Sequence, residues 1–131
     1  MPLGVKQFLH TSVIITPNLE ENRTFYERIL GFKVDESRPP IPATDGCWLN
    51  VGDTGKQVHL VYHDKRLGPV GGNPEFDISE PHMAFAVESL DECKKLLDAE
   101  GIRFHELTIV GGRRQVFFRD PSGNLIELQQ A

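Results

Sequence analysis

Two cysteines in 131 residues, Cys47 and Cys93, are too few for a disulfide framework, and neither belongs to a C-x-x-C pair of the redox or zinc type. Cys93 reads as a helix core residue, while Cys47 has no assigned role. Basic residues are also scarce: 14 Lys and Arg against 19 Asp and Glu leave a formal charge of −5. The adjacent basic pairs Lys65-Arg66, Lys94-Lys95 and Arg113-Arg114 are scattered and form no run. That balance excludes a dedicated nucleic-acid or anionic-membrane binder, whose affinity rests on clustered cations. No apolar run approaches the roughly 20 residues of a membrane span. Met1-Pro2-Leu3-Gly4 lacks the charged and apolar regions of a secretory signal, so the expectation is a cytoplasmic protein with neither membrane nor nucleic acid as partner. What is present is ordinary for a folded domain, with 39% apolar and 25% charged residues.

The chain carries a concealed repeat. An alternating stretch from Phe8 to Thr16 reads as a strand, and Leu19, Phe25, Tyr26, Ile29 and Leu30 follow at helical spacing. Asn18 can cap that helix with Glu21 as the acidic half of a capping box, and Gly31 supplies a left-handed stop. Strands are expected at Phe32 to Ser37, Trp48 to Val51 and Gln57 to His63, separated by Pro39-Pro40-Ile41-Pro42 and Gly52-Asp53-Thr54-Gly55. The same order returns from Pro81. A strand over His82 to Glu88 leads to Ser89 as cap with Glu92 three residues on, and Leu90, Cys93, Leu96 and Leu97 share one helical face ending at Gly101. Strands then follow at Ile102 to Leu107, Gln115 to Arg119 and Asn124 to Gln129, the last two joined by Asp120-Pro121-Ser122-Gly123. The fold class is therefore α+β: two tandem βαβββ modules, about 8–63 and 81–130 with a connector over 64–80, forming a curved mixed sheet around a cavity with helices outside. Neither module is large enough to be stable alone, so a single domain over 1–131 is expected.

Superimposing the modules by strand order pairs His10 with His82 and His59 with Glu127. Alternate residues of a strand share a face. Met83, Phe85 and Val87 would face a helix and leave His82 on the inner surface; Val58, Leu60 and Tyr62 oppose His59; Ile126 and Leu128 oppose Glu127; Thr11, Val13 and Ile15 oppose His10 and Ser12. Each of the four points inward. Imidazole nitrogens and a carboxylate suit a divalent ion such as Fe2+, Ni2+, Zn2+, Co2+ or Mn2+, and an ionised Glu between Ile126 and Leu128 is costly to bury without a cation or an Arg. His63 shares the face of His59 and is read as an outer-sphere or substrate contact or as a solvated strand-end residue. His105 is read as surface or interface, and Arg113 and Arg114 behind Gly111-Gly112 as either an anion clamp or solvated loop residues.

Phe25-Tyr26 leading to Leu30-Gly31-Phe32, His82 opening the fifth strand, and Phe118-Arg119-Asp120-Pro121-Ser122-Gly123-Asn124-Leu125-Ile126-Glu127-Leu128 give the chain its family likeness. Over almost its whole length it resembles the vicinal oxygen chelate superfamily, which includes glyoxalase I, methylmalonyl-CoA epimerase, fosfomycin-modifying thiol transferases, extradiol dioxygenases and bleomycin-resistance proteins. The resemblance implies metal ligands at His10, His82 and Glu127, a variable fourth at His59, and chemistry on a chelated pair of substrate oxygens. Family spacing alone would put Thr11 at the first ligand position; strand parity favours His10, with an extra residue near Thr16-Pro17 absorbing the difference. Similar glyoxalase I enzymes carry Glu where His59 stands, and the first-strand Arg that bacterial glyoxalase I uses for glutathione is absent from Ser12-Val13-Ile14-Ile15.

Three functions follow from that likeness. The first is a metal-dependent lyase or isomerase of glyoxalase type, acting on a small oxygen-chelating substrate with Glu127 as general base. The second is a non-haem Fe(II) ring-cleaving or related dioxygenase, since two His and one carboxylate make a facial triad. The third is a small-molecule binding or resistance protein without catalysis. Assembly as a homodimer is expected from the family.

Overall fold

The computed structural model describes every residue except 1, 16–17, 42–43, 64–67 and 110. Strand β1 (Val5–Ile14) leads to helix α1 (Leu19–Ile29) and then to β2 (Lys33–Val34), β3 (Thr44–Asn50) and β4 (Gln57–His63). The order repeats as β5 (His82–Val87), α2 (Leu90–Ala99), β6 (Phe104–Thr108), β7 (Arg114–Arg119) and β8 (Leu125–Gln130). The helix starts are set by side-chain caps: Asn18 Oδ1 accepts from Glu21 N at 3.1 Å, and Ser89 Oγ accepts from Glu92 N at 3.2 Å. Both helices stop against a glycine at positive φ, Gly31 at 72° and Gly101 at 70°, where a β-carbon would be strained.

All eight strands join one open curved sheet in the order β2-β3-β4-β1-β5-β8-β7-β6. β1 and β5 pair antiparallel at its centre and couple the two βαβββ units. β1 pairs in parallel with β4, and β5 with β8. Apolar residues on the outer face pack under the helices. Val87, Leu90, Cys93, Leu97, Val116 and Leu128 form the core beneath α2, and Ile15, Cys47, Leu49 and Leu60 form its counterpart beside α1. On the inner face Phe117 and Leu125 pack with Phe76 from the segment between β4 and β5. That segment is tied down by Asp77, whose Oδ1 accepts from Val70 N, Ser79 N and Ser79 Oγ at 3.1, 3.0 and 2.6 Å. It covers one side of the inner surface and makes a cavity rather than an open trough.

Several boundaries differ from the pattern in the sequence. β1 ends at Ile14; Thr16 and Pro17, with the extra residue placed near them, lie outside the described residues, as do Pro42 and the connector's first four positions. The expected strand over Phe32 to Ser37 shrinks to Lys33–Val34, because Asp35 Oδ1 accepts from Ser37 N and Oγ and folds the chain into a turn. β3 begins earlier, at Thr44, since it pairs residue for residue with β4 from Thr44 and His63 to Asn50 and Gln57. Met83 does not reach the helix core and is 41% exposed. Of the apolar residues at helical spacing, Leu19 and Tyr26 pack on the core beside α1, whereas Phe25, Ile29 and the C-cap Leu30 are exposed. No helix among the described residues is long and apolar enough to cross a membrane.

Candidate metal centre

Cross-strand register places the site. One row of the sheet runs Gln57, His10, Ala84, Glu127, Phe117, and the next runs Trp48, His59, Ser12, His82, Leu125. A two-fold between β1 and β5 exchanges the rows, carrying His10 onto His82 and His59 onto Glu127. His10, His59, His82 and Glu127 are all buried and all line the same cavity of about 390 Å³.

Three of them converge. His82 Nε2 lies 3.2 Å from Glu127 Oε1 and 3.3 Å from His10 Nε2, and His10 Nε2 lies 3.8 Å from the same carboxylate oxygen. One ligand atom from each falls within 4.8 Å of the others. His10 projects into the cavity, whereas the Thr11 hydroxyl turns along the ladder and donates to the His82 carbonyl at 3.4 Å. His59 stands beside this group rather than within it. Its ring stacks between His10 at 3.7 Å and Trp48 at 4.7 Å, and its Nε2 is 2.8 Å from Gln57 Oε1.

Supporting contacts fix the donors. His82 Nδ1 donates to the Glu80 carbonyl at 2.7 Å, which leaves Nε2 to face Glu127, His10 and the Ser12 hydroxyl. The Phe117 ring meets His82 edge-on at 5.9 Å. The Gln129 amide donates to Glu127 Oε2, holding the second carboxylate oxygen. Burial and then the neighbouring charges set the protonation states. Burial pushes the His10 imidazole down to about 4, with Glu127 acting against it and His82 and Arg113 adding to it. His59 is lowered further by burial and by the charges of His10, His82, Arg38 and Arg113. Burial would also lower His82, but its hydrogen bond to Glu127, the charge of that carboxylate and the Glu80 carbonyl hold it above the ordinary value. For Glu127 burial opposes ionisation; the His82 hydrogen bond, the charges of His10 and His82 and the Gln129 amide outweigh it and keep the carboxyl below its ordinary range.

The donor set fits a divalent ion. Atoms bound to one ion at about 2.0–2.2 Å stand about 3–3.5 Å from one another, close to the observed spacing of 3.2, 3.3 and 3.8 Å. The buried carboxylate is balanced here by the proton that His82 retains, and a divalent ion between them would supply that positive charge in its place.

The other sequence-derived positions fall elsewhere. His63 is buried, with Nε2 3.9 Å from Asp77 Oδ2, and it does not line the cavity. His105 stacks on Phe76 at 6.3 Å. Arg114 pairs with Glu106 and Asp91, whereas Arg113 reaches the cavity and lies over the Trp48 ring at 5.6 Å. Ser12, which strand parity placed on the inner face with His10, lines the cavity, as do four residues to which the sequence pattern gave no role: Gln57, Trp48, Gln129 and Arg38. The first three carry a signal in strand parity, which they share with the His and Glu residues; Arg38, in an irregular segment, carries none.

The sequence model of the Glyoxalase/Bleomycin resistance protein/Dioxygenase superfamily matches residues 7–128. The chain belongs to this superfamily. Among glyoxalase-superfamily relatives it is 30% identical to Glyoxylase I 4 of Arabidopsis thaliana over 133 residues, which cover 97% of this chain and 72% of that protein. It is 28% identical to the human mitochondrial methylmalonyl-CoA epimerase over 131 residues, covering 94% of this chain and 73% of the relative. In fold, this superfamily member matches the crystal structure of methylmalonyl-CoA epimerase from Mycobacterium tuberculosis with a TM-score of 0.76 at 20% identity, over 99% of this chain and 91% of that one.

Proposed function

We propose that this chain is a metal-dependent isomerase or lyase of glyoxalase type that moves a proton on a carbon next to a carbonyl, in a small substrate with two neighbouring oxygens. The observation that carries the reading is the convergence of His10, His82 and Glu127, all buried, on one cavity. The names of the relatives support it, because epimerising a methylmalonyl thioester requires removing and returning the proton beside its carbonyl. His10, His82 and Glu127 would hold the ion, with His59, whose Nε2 is bonded to Gln57 Oε1 at 2.8 Å, as a fourth donor beside them. A divalent metal bound there would supply positive charge beside the substrate oxygens, lowering the cost of the negative charge that develops as the proton leaves.

The chain's own groups do the rest. Glu127 would be the general base when its carboxylate is not held by the ion: it is ionised, buried away from water and hydrogen-bonded by Gln129. The Ser12 hydroxyl, 3.2 Å from His82 Nε2, is placed to donate to a substrate oxygen entering beside that ring. Trp48 and the stacked His59 wall one side and exclude water from the reacting carbon. The two βαβββ units act as one domain in this reading, with the module boundary in the connector. Exposed Phe25, Ile29 and Leu30 on α1 support pairing of two copies as a homodimer, and sedimentation equilibrium giving only monomer at micromolar concentration contradicts that.

The test is proton exchange. Protein loaded separately with Zn2+, Ni2+, Co2+, Mn2+ or Fe2+ is incubated in D2O with methylglyoxal–thiol hemithioacetals and with methylmalonyl-CoA. Deuterium entering carbon beside the carbonyl, and lost in Glu127→Gln, is the expected result; no exchange with any metal contradicts the reading. The donor set of two histidines and one carboxylate also favours a second reading, an Fe(II) dioxygenase. Oxygen uptake confined to the iron form, without exchange, would select it.

A further inference from the structure

The cavity holds an electrostatic feature that the metal cluster does not use. Arg38 and Arg113 both line it, and Glu127 is the one acid among the described residues on its wall. Neither arginine makes an ion pair within 4 Å of a described carboxylate; Asp45 acts on Arg38, and Arg113 on Asp35, only through longer-range charge. This contrasts with the arginines that hold the fold. Arg119, Arg114, Arg103 and Arg23 each sit against a carboxylate.

Both guanidiniums are positioned rather than loose. Arg38 is half-buried, and its Nη2 donates to the Thr44 carbonyl at 3.4 Å, a long bond that occupies one of five donors. Arg113 is exposed, lines the cavity and lies over the Trp48 ring at 5.6 Å, a contact that holds its charge beside that wall. Trp48 therefore carries His59 on the cluster side and is approached by the Arg113 cation. With a divalent ion on the cluster, the two arginines and that ion would outweigh the one carboxylate on the wall, giving the cavity a net positive charge. The half-buried Arg38 guanidinium, without an anion, has lost hydration that an incoming anion restores, and the exposed Arg113 adds charge beside it on the same wall.

We propose that the ligand of this cavity is a small organic acid whose carboxylate is held by Arg38 and Arg113 while its other oxygens reach the His10, His82 and Glu127 cluster. This rests on the metal reading above for the second half of the contact, and on the arginines alone for the first. The cavity of about 390 Å³ suits an acid of a few carbons. Planar forks match a carboxylate bidentately, and because the arginines and the cluster line one cavity, a single molecule would present its acid group to the first and its reacting oxygens to the second.

The test uses malonate, its uncharged counterpart malonamide, and inorganic phosphate, each titrated by calorimetry into metal-free and Zn2+-loaded protein. Malonate is expected to bind at least tenfold more tightly than malonamide or phosphate. Arg38→Gln and Arg113→Gln should each weaken malonate roughly tenfold or more, the scale of a lost charge-assisted contact, with malonamide binding and Zn2+ stoichiometry unchanged. Arg38→Lys and Arg113→Lys should bind malonate more tightly than the Gln variants, and Arg103→Gln, outside the cavity, should leave malonate binding unchanged. If Zn2+ fails to bind while malonate still binds in an arginine-dependent way, the metal reading falls and the acid site stands. If Zn2+ binds but malonate is indifferent to both arginines, or malonamide matches it, the acid site is overturned and the metal centre survives. Arginine-dependent binding of phosphate equal to that of malonate overturns the assignment to a carboxylate.

Discussion

Arg119 offers a sharp perturbation because it touches no cavity group yet controls one. Its guanidinium grips both oxygens of Glu80, at 2.7 and 2.9 Å, donates to the carbonyls of Glu75 and Gly123, and lies 5.9 Å from the Phe76 ring centre. The carbonyl of Glu80 in turn accepts from His82 Nδ1 and thereby fixes which nitrogen faces Glu127. Arg119→Met keeps the stem and removes these bonds. The Glu80 pair is partly solvated, with Glu80 40% exposed, so it contributes only about 0.2–1 kcal/mol. Adding the carbonyl contacts, which water can partly replace, brings the expected destabilisation to about 2 kcal/mol. The larger consequence is positional: the Glu80 carbonyl would stay but lose its anchor, so metal affinity is expected to fall by about tenfold, the low end of what removing an outer-sphere partner of a metal-ligating His costs. Urea denaturation measures the first effect, and competition against a chromophoric chelator under native conditions measures the second. Lower stability with metal affinity unchanged within about threefold would refute the coupling through Glu80.

The remaining predictions concern the cluster itself. His10→Ala should lose metal while Thr11→Ala retains it, read by metal analysis after desalting; the opposite pattern would place Thr11 at the ligand position. His59→Glu should keep metal and restore a second carboxylate at the cavity wall, raising hemithioacetal exchange; loss of metal would make His59 indispensable. In chelator-treated protein, His10 is lowered from 6.5 to about 4, so the unfolded chain takes up its proton first as pH falls. Its contribution is therefore complete above pH 6.5 and lost on the way down to about 4, amounting to about 3 kcal/mol. His82, raised by Glu127, works with the opposite sign and loses its contribution as pH rises through its folded value. His10→Gln should flatten the loss between pH 6.5 and 4 in urea midpoints, and an unchanged slope would contradict the assignment.

Much of this geometry was legible because strand periodicity is strict. Val13 and Ile15, Val58 and Leu60, and Ile126 and Leu128 all pack toward helices, which forces His10, His59 and Glu127 to the other face. Periodicity says which face a side chain takes but not how far along the sheet it stands. The β1–β5 register shift between Phe8 and His10 and the stacking of His59 against Trp48 decide that His59 lies beside the three-residue cluster, and neither is written in alternation. Arg38 was invisible for a different reason: it enters the cavity from an irregular stretch after the Asp35 turn, where no period operates. Helix α1 shows the same limit, since helical spacing groups Leu19, Phe25, Tyr26 and Ile29 without saying which of them packing covers, and Phe25 and Ile29 stay exposed.

The central claim is that His10, His82 and Glu127 bind one divalent ion. Its most direct test is metal content per chain by inductively coupled plasma mass spectrometry, on untagged protein purified without chelators, for the wild type, His82→Ala and Glu127→Ala, with far-ultraviolet dichroism confirming that each is folded. One equivalent of metal in the wild type and none in either variant is the predicted result; full occupancy in a folded variant, or none in the wild type after exposure to each candidate metal, would contradict it.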